Sequence, residues 1–177
     1  MKRSYGITIG NLEGISDCRG QLSGKENYQK RPLSDLGYEG PLKWLVVHHS
    51  GVARDNSARE IASYHVNVLG WPGIGNHFLV HMGGKIDYVG DILTIRYNVA
   101  SLNHHVIGIC LTGDFTRQPP STAQLNAARL LIANLQYALG WHVPIAGHGE
   151  IALAGNGTAC PGDTFLRGPR WKDWIVT

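Results

Sequence analysis

The stretch that decides the fold is Trp44-Leu45-Val46-Val47-His48-His49-Ser50. Four apolar residues, two of them β-branched, lead into two histidines and a turn, which is typical of a buried strand. In open α/β sheets, ligands and catalytic groups collect at the carboxyl ends of the strands. Because side chains alternate between the two faces of a strand, His48 and His49 point to opposite sides. Only one of them can easily join a given site.

The composition indicates one globular domain. The chain has 177 residues, of which 43% are hydrophobic, and a net charge of +3, which permits attraction to anionic polymers without requiring it. Cys18, Cys110 and Cys160 lie at unrelated spacings, so each is a core residue, a ligand or a nucleophile rather than part of a disulfide framework. No apolar signal-peptide core follows Met1-Lys2-Arg3, and the apolar run 130–139 is too short to span a bilayer. We therefore expect no membrane insertion and no classical export signal.

Predicted strands and helices alternate along the chain. The strands are 44–48, a hairpin of 76–81 and 85–89 around Gly83-Gly84, a central strand at 106–112 buried on both faces, and an edge strand at 143–146. The helices are a short one opened by a capping box at 57–60, a long one from a second capping box at 121–124 to Gly140, and a final one containing Trp171 and Trp174. This order predicts an α/β domain with a central mixed β-sheet flanked by helices.

Residues 1–42 are rich in glycine, serine, asparagine and charge, and they show no sustained periodicity. We interpret them as an N-terminal arm that wraps the domain and belongs to the same unit, with disorder as the alternative. Residues 43–177 form the main body.

Three side chains with metal-binding chemistry lie at the ends of predicted elements. His48 and His148 each follow a strand, and Cys160 lies in a glycine-flanked loop. Two imidazoles and a thiolate are a zinc-type set, and three protein ligands leave a fourth position where water is activated. The spacing alone equally fits two hydrogen-bonded loop histidines and a buried cysteine. It also fits a cysteine peptidase with Cys160 as the nucleophile.

Five sequence blocks, taken together, resemble a known family. They occur in one order and are 44–50 (WLVVHHS), 70–80 (GWPGIGNHFLV), 107–115 (IGICLTGDF), 147–150 (GHGE) and 158–162 (TACPG). The chain resembles, from about Arg31 to Gly162, the zinc amidases of type 2, which include phage lysozyme-type N-acetylmuramoyl-L-alanine amidases and peptidoglycan recognition proteins.

The resemblance implies a fold with a central mixed sheet and zinc in a surface groove, and it makes residues 43–177 an amidase catalytic domain. The implied activity is hydrolysis of the amide between N-acetylmuramic acid and L-alanine of the stem peptide. The implied zinc ligands are His48, His148 and Cys160, which leaves His49 as a supporting residue on the opposite face. Thr158 matches a position where members carry lysine or threonine, and it could help to hold the oxyanion. A loop threonine bonded to its own backbone is the alternative.

Two positions depart from the family pattern. Asn76 stands where many catalytic members carry tyrosine, and asparagine donates a hydrogen bond but cannot shuttle a proton. We place Asn76 among both the catalytic and the substrate-binding candidates, the latter together with His65 and Trp71. Cys110 stands where another branch carries a catalytic glutamate, and we interpret it as a core residue.

The expected partner is peptidoglycan, and we expect a monomer that binds no nucleic acid. The absence of a signal peptide favours a phage-type endolysin held in the cytoplasm until its release to the wall. A recognition module that binds peptidoglycan without cutting it is the alternative, which the Asn76 departure supports. A sugar-cleaving lysozyme would need two carboxylates across a cleft, and no such pair stands out.

Overall fold

A six-stranded sheet lies at the centre of the protein, in a computed structural model that describes residues 14–152, 157–165 and 171–176. The strands are β1 (Ile15–Asp17), β2 (Trp44–His49), β3 (Phe78–Val80), β4 (Ile86–Tyr88), β5 (Val106–Leu111) and β6 (Ile145–Gly147). Their order across the sheet is β1-β4-β3-β5-β2-β6. β3 and β4 pair antiparallel and the other neighbours pair parallel, which confirms the predicted mixed sheet.

Three of the predicted strand regions are confirmed. β2 runs one residue further than predicted, to His49. The hairpin forms from β3 and β4, with both strands shorter than the apolar runs that predicted them. β5 lies between β3 and β2, and all six of its residues are buried, as expected for a central strand.

The predicted edge strand at 143–146 was wrong in its bounds, because β6 begins at Ile145 and ends at Gly147. Proline has no N–H to donate to the ladder, so Pro144 lies just outside the strand. Its carbonyl nevertheless accepts a hydrogen bond from Leu45 N–H at 2.9 Å. The shift places His148 directly after the last residue of β6.

The helices are α1 (Ala58–Asn67), α2 (Thr122–Leu139), α3 (His148–Ile151) and α4 (Lys172–Val176). Short 3-10 turns occur at Leu33–Leu36, Asn103–His105 and Asp163–Phe165. Both reciprocal bonds of the predicted capping box between Ser57 and Glu60 are present. α2 ends at Gly140 in a left-handed conformation with φ 76°, and α4 confirms the predicted final helix.

The second predicted capping box forms only in part. Ser121 caps α2 by accepting from the Gln124 N–H, but the Gln124 side chain does not return the bond. Its amide instead donates to Val80 O at 2.7 Å and to Thr112 O at 2.9 Å. The Gln124 amide therefore joins the first turn of α2 to β3 and to the residue that follows β5.

The two faces of the sheet carry separate apolar layers. On one face, Val47 and Ile109 pack with residues of α2 and α4, including Leu131 and Ile175. On the other face, Cys110 and Leu79 pack with residues of α1. His48 follows Val47 and pairs with Cys110 in register, so His48 faces the α1 side.

The described part of the predicted arm packs along the edge of the domain. β1 pairs with β4, and Lys30 forms an isolated antiparallel bridge with Thr94. Residues 1–13 of the arm lie outside the described residues. Among the described residues, no helix has both the length and the apolarity needed to cross a bilayer.

Candidate metal centre and groove

The three predicted ligands lie together at the carboxyl edge of the sheet. His48 is near the end of β2, His148 begins α3 directly after β6, and Cys160 follows in the loop 157–162. One donor atom from each residue lies within 4.8 Å of the other two. Parallel pairing of β6 with β2 brings the two histidines to the same edge, with ring centroids 4.8 Å apart.

His48 is a buried imidazole with one ring nitrogen unpartnered among the described residues. Its Nε2 is buried and has no partner among the described residues, and its Nδ1 faces Cys160 Sγ at 3.7 Å. Burial, followed by the nearby His148, holds the pKa of His48 well below its usual value. Burial also lowers the pKa of His148. Both rings are therefore neutral, which is the form that binds a metal ion.

Cys160 is held close to the histidines. Burial raises the pKa of its thiol to about 12, and the His49 backbone N–H, which donates to Sγ at 3.4 Å, opposes that rise only in part. A thiol with this pKa is a poor nucleophile at neutral pH, which argues against the cysteine-peptidase alternative. A metal ion would favour the thiolate, so the set of two neutral imidazoles and a thiol fits zinc.

The predicted substrate-binding residues His65, Trp71 and Asn76 line one groove with the three ligands, in a cavity of about 940 Å³. The His65 ring centroid lies 4.6 Å from that of Trp71, and His65 Nδ1 accepts from Gly75 N–H at 3.0 Å. Burial lowers the pKa of His65 to about 4, so this ring is neutral with its proton on Nε2. Asn76 is 8% exposed, and its amide donates to Asn98 Oδ1 at 3.3 Å.

Thr158 is exposed and is not among the described residues that line the groove. Its Oγ1 accepts a hydrogen bond from Cys160 N–H at 3.1 Å. This is the local backbone bond that the sequence left open as an alternative. Its oxyanion role stays a prediction, whereas its contact with the Cys160 backbone is direct.

The other histidine and cysteine residues near the site lie mostly inside the protein. His49 lies on the opposite face from His48, where its Nδ1 accepts from Phe115 N–H at 3.1 Å. His77 is fully buried, bonded to Thr94 O at 3.1 Å and to Gly108 N–H at 2.9 Å. Cys110 is 3% exposed, as expected for a core residue, although it also borders the floor of the groove.

Comparison with known proteins agrees with this geometry. The family model for N-acetylmuramoyl-L-alanine amidase matches residues 38–163. The chain belongs to this amidase family. The resemblance predicted from the five sequence blocks is thereby confirmed.

Relatives of this amidase-family chain carry names that describe different functions. Peptidoglycan-recognition protein SC2 of Drosophila simulans is 26% identical over 145 residues, 75% of this chain and 76% of that protein. The endolysin of Enterobacteria phage T3 is 28% identical over 98 residues, 51% of this chain and 64% of that protein. The structure of the Ph2119 endolysin from a Thermus scotoductus bacteriophage matches with a TM-score of 0.73 at 23% identity, covering 92% of this chain and 99% of that one. The predicted amidase fold is confirmed.

Sequence reasoning missed the charged rim of the amidase groove. Arg54 and Asn56 lie in the loop between β2 and α1, and Arg59 and Glu60 lie in the first turn of α1. Arg54 pairs with Glu60 at 2.7 Å. The sequence did contain a signal for this rim, because residues that directly follow a strand ending in a candidate ligand commonly line the same site.

Sequence reasoning also missed two tyrosines of the amidase groove. Tyr64 and Tyr97 line it beside Trp71, and they are 53% and 43% exposed. The Tyr97 ring meets the Trp71 ring edge-on at 5.7 Å. Their distance in sequence gave no sign that they would meet.

Proposed function

We propose that this amidase-family protein is a zinc-dependent N-acetylmuramoyl-L-alanine amidase that cleaves the amide between N-acetylmuramic acid and L-alanine in peptidoglycan. The observation that carries the proposal is the complete His48, His148 and Cys160 donor set, whose donor atoms lie within 4.8 Å of one another. His48 Nδ1 faces Cys160 Sγ at 3.7 Å, a separation close to that of two ligands on one tetrahedral zinc ion.

When bound, zinc supplies Lewis-acid polarisation of the scissile carbonyl and activation of water for attack. The chain's own residues prepare the site for the ion. His48 and His148 are neutral through burial, and Cys160 gives up its thiol proton on binding. The His49 backbone N–H, 3.4 Å from Cys160 Sγ, then stabilises the thiolate.

Asn76 and His65 supply hydrogen bonds on the groove wall. The Asn76 amide, held by Asn98, donates to a carbonyl oxygen of the muramyl peptide equally in the bound substrate and in the transition state. His65 keeps a proton on Nε2 and stays neutral, so it acts as a hydrogen-bond donor rather than as a cation. We assign both residues to substrate orientation.

We further propose an endolysin setting, in which the protein stays in the cytoplasm until it reaches the cell wall and acts there as a monomer. The support is that the phage T3 and Ph2119 relatives are named endolysins. The second candidate function is a recognition module that binds peptidoglycan without hydrolysis. The observation that favours it is Asn76, which stands at a tyrosine position and cannot transfer a proton.

The test combines zinc analysis with digestion of purified peptidoglycan by the wild type, Cys160→Ser and Asn76→Tyr. The wild type should bind one zinc ion and release new L-alanine amino termini without new reducing ends. Cys160→Ser should lose zinc affinity by more than the roughly 10- to 100-fold that loss of an outer-shell partner costs, and activity should fall with it. Cys18→Ser is the matched control, because Cys18 is half-buried in the arm, outside the groove.

Two results would contradict the proposed function. Wild-type protein that binds zinc and peptidoglycan but yields no new amino termini would identify a recognition module. New reducing ends would identify a sugar-cleaving enzyme. If Asn76→Tyr raises turnover while the wild type is slow, Asn76 limits proton transfer in an otherwise complete amidase.

A further inference from the structure

The loop of residues 70–76 forms one wall of the groove and carries Trp71 and Asn76. Its conformation depends on donors outside the loop. Three donors bond three successive carbonyls: Glu26 N–H to Pro72 O (2.8 Å), the Tyr28 hydroxyl to Gly73 O (2.8 Å) and Arg96 Nη1 to Ile74 O (2.7 Å). Two of the three donors belong to the N-terminal arm. An ordinary surface loop would leave such carbonyls to water.

The opposite side of the same loop is held by α1. His65 O accepts from Trp71 N–H at 2.9 Å, and His65 Nδ1 accepts from Gly75 N–H at 3.0 Å. The loop is therefore bonded through its amides on one side and its carbonyls on the other. Removing either set of partners would free the loop and change where Trp71 and Asn76 lie.

Arg96 ties the arm to the loop through a buried ion pair. Its side chain is 4% exposed and pairs with Glu26 Oε2, and its guanidinium lies over the Tyr28 ring at 4.8 Å. Arg96 Nε also donates to Thr94 Oγ1 at 3.0 Å. Gly73 lies so close to Glu26 that a Cβ atom there would overlap its carboxylate. The arm and the loop are therefore in close contact at Gly73.

The arm also supports the aromatic side of the groove. The Tyr28 ring packs edge-on against Tyr97 at a centroid distance of 5.2 Å, and Tyr97 packs edge-on against Trp71 at 5.7 Å. Tyr97 and Trp71 line the groove, whereas Tyr28 lies behind them. The arm thus contacts the groove wall both through the loop backbone and through this row of rings.

We propose that Glu26, Tyr28 and Arg96 are positioning residues that set the affinity of the groove for muramyl peptides by holding the loop 70–76. None of the three is among the described residues that line the groove, so they act through the loop. The metal ligands lie on β2, α3 and the loop 157–162, and they do not depend on these contacts. The inference rests on the proposed function for the identity of the ligand.

The test measures binding and hydrolysis of a synthetic N-acetylmuramoyl dipeptide by Tyr28→Phe and Glu26→Gln. Tyr28→Phe removes one hydroxyl, so Kd and KM should rise about three- to tenfold, the effect of one buried hydrogen bond. Glu26→Gln should raise them further, because it leaves the buried Arg96 guanidinium without its counter-charge. In both variants kcat and zinc content should match the wild type, and amide exchange of residues 70–76 should accelerate.

Tyr38→Phe is the matched control, since Tyr38 also lies in the arm but is 75% exposed and packs on Trp141. Unchanged Kd and KM in Tyr28→Phe and Glu26→Gln would overturn the inference, as would loss of zinc or kcat in Tyr28→Phe. If the wild type binds the dipeptide without cleaving it, the proposed amidase activity fails, and the ratio of Kd values still tests the inference. A wild type that neither binds nor cleaves the dipeptide would overturn both.

Discussion

His48 and His81 are both histidines at strand ends on the same edge of the sheet, yet their environments favour different charge states. His48 lies in β2, and His81 directly follows β3. Burial lowers the pKa of His48. A hydrogen bond to Asp87 raises the pKa of His81 against the effect of burial, with help from Asp55. The two regions differ in whether carboxylates surround the ring.

This difference decides which histidine can hold a metal ion. Both nitrogens of His81 are occupied, Nδ1 by Asp55 at 3.0 Å and Nε2 by Asp87 at 2.9 Å. His48 has one nitrogen without a partner among the described residues and one that faces a sulfur atom. A neutral imidazole with available lone pairs is a ligand, whereas a paired imidazolium is a structural cation.

The His81 cluster, which we define as Asp55, His81, Asp87 and Thr112, ties the β2–α1 loop to the hairpin. Asp55 accepts from Thr112 Oγ1 at 2.6 Å as well as from His81. The neighbours of Asp55 in sequence, Arg54 and Asn56, line the groove. The same residue type therefore has two roles: His48 is the proposed metal ligand in one region, and His81 is a loop anchor in the other.

The largest expected effect comes from replacing each of the two histidines in turn with asparagine. His48→Asn should lower zinc affinity by more than the roughly 10- to 100-fold cost of losing an outer-shell partner. His81→Asn should keep zinc but lower the free energy of unfolding by about 2 kcal/mol, because the buried Asp87 loses a charged partner. Competition with a chelating dye and urea unfolding measure the two quantities. Equal loss of zinc in both variants would remove the distinction between the regions.

A smaller effect is expected from pH. The pKa of His81 is raised in the folded state, so its pairing stabilises fully below its ordinary value of 6.5 and is lost as pH rises through the folded pKa. The pKa values of Asp55 and Asp87 are lowered, against burial, by their hydrogen bonds. Their contribution is present above 3.8 and is lost as pH falls through the folded values.

The stability difference between wild type and His81→Asn should therefore be about 1 kcal/mol larger at about pH 5.5 than at about pH 9. Urea unfolding at both values measures it, and His49→Asn provides the comparison, since burial lowers rather than raises the pKa of His49. A difference that grew with pH would mean that His81 is neutral in the folded state.

The smallest expected effect concerns the support of His148. Glu150 accepts from Gly147 N–H at 2.6 Å and from Lys172 Nζ at 2.7 Å, which joins the start of α3 to α4. Glu150→Gln keeps an acceptor for Gly147 but loses the ion pair, so zinc affinity should fall by about two- to fivefold. The exposed pair of Asp17 with Arg19 gives the matched control, Asp17→Asn, which should leave zinc affinity unchanged. If Glu150→Gln lost more zinc affinity than His48→Asn, the metal site would depend on α4.

Much of the fold could be predicted because its signals are local. The apolar run of β2, the capping box at Ser57 and the turn at Gly140 each specify an element within a few residues. The bounds of β6 and the partners of Gln124 could not be predicted in this way. Both depend on contacts with strands that are distant in sequence: β6 pairs with β2, and Gln124 bonds to Val80 and Thr112.

The sequence by itself predicted the donor set through the resemblance of its five blocks, because the spacing of His48, His148 and Cys160 alone left other interpretations open. Only the tertiary structure decided the charge of each histidine and the contacts of the arm. The reason is physical: a pKa depends on burial and on carboxylates distant in sequence. The three carbonyls of the loop 70–76 likewise meet donors that lie more than twenty residues away.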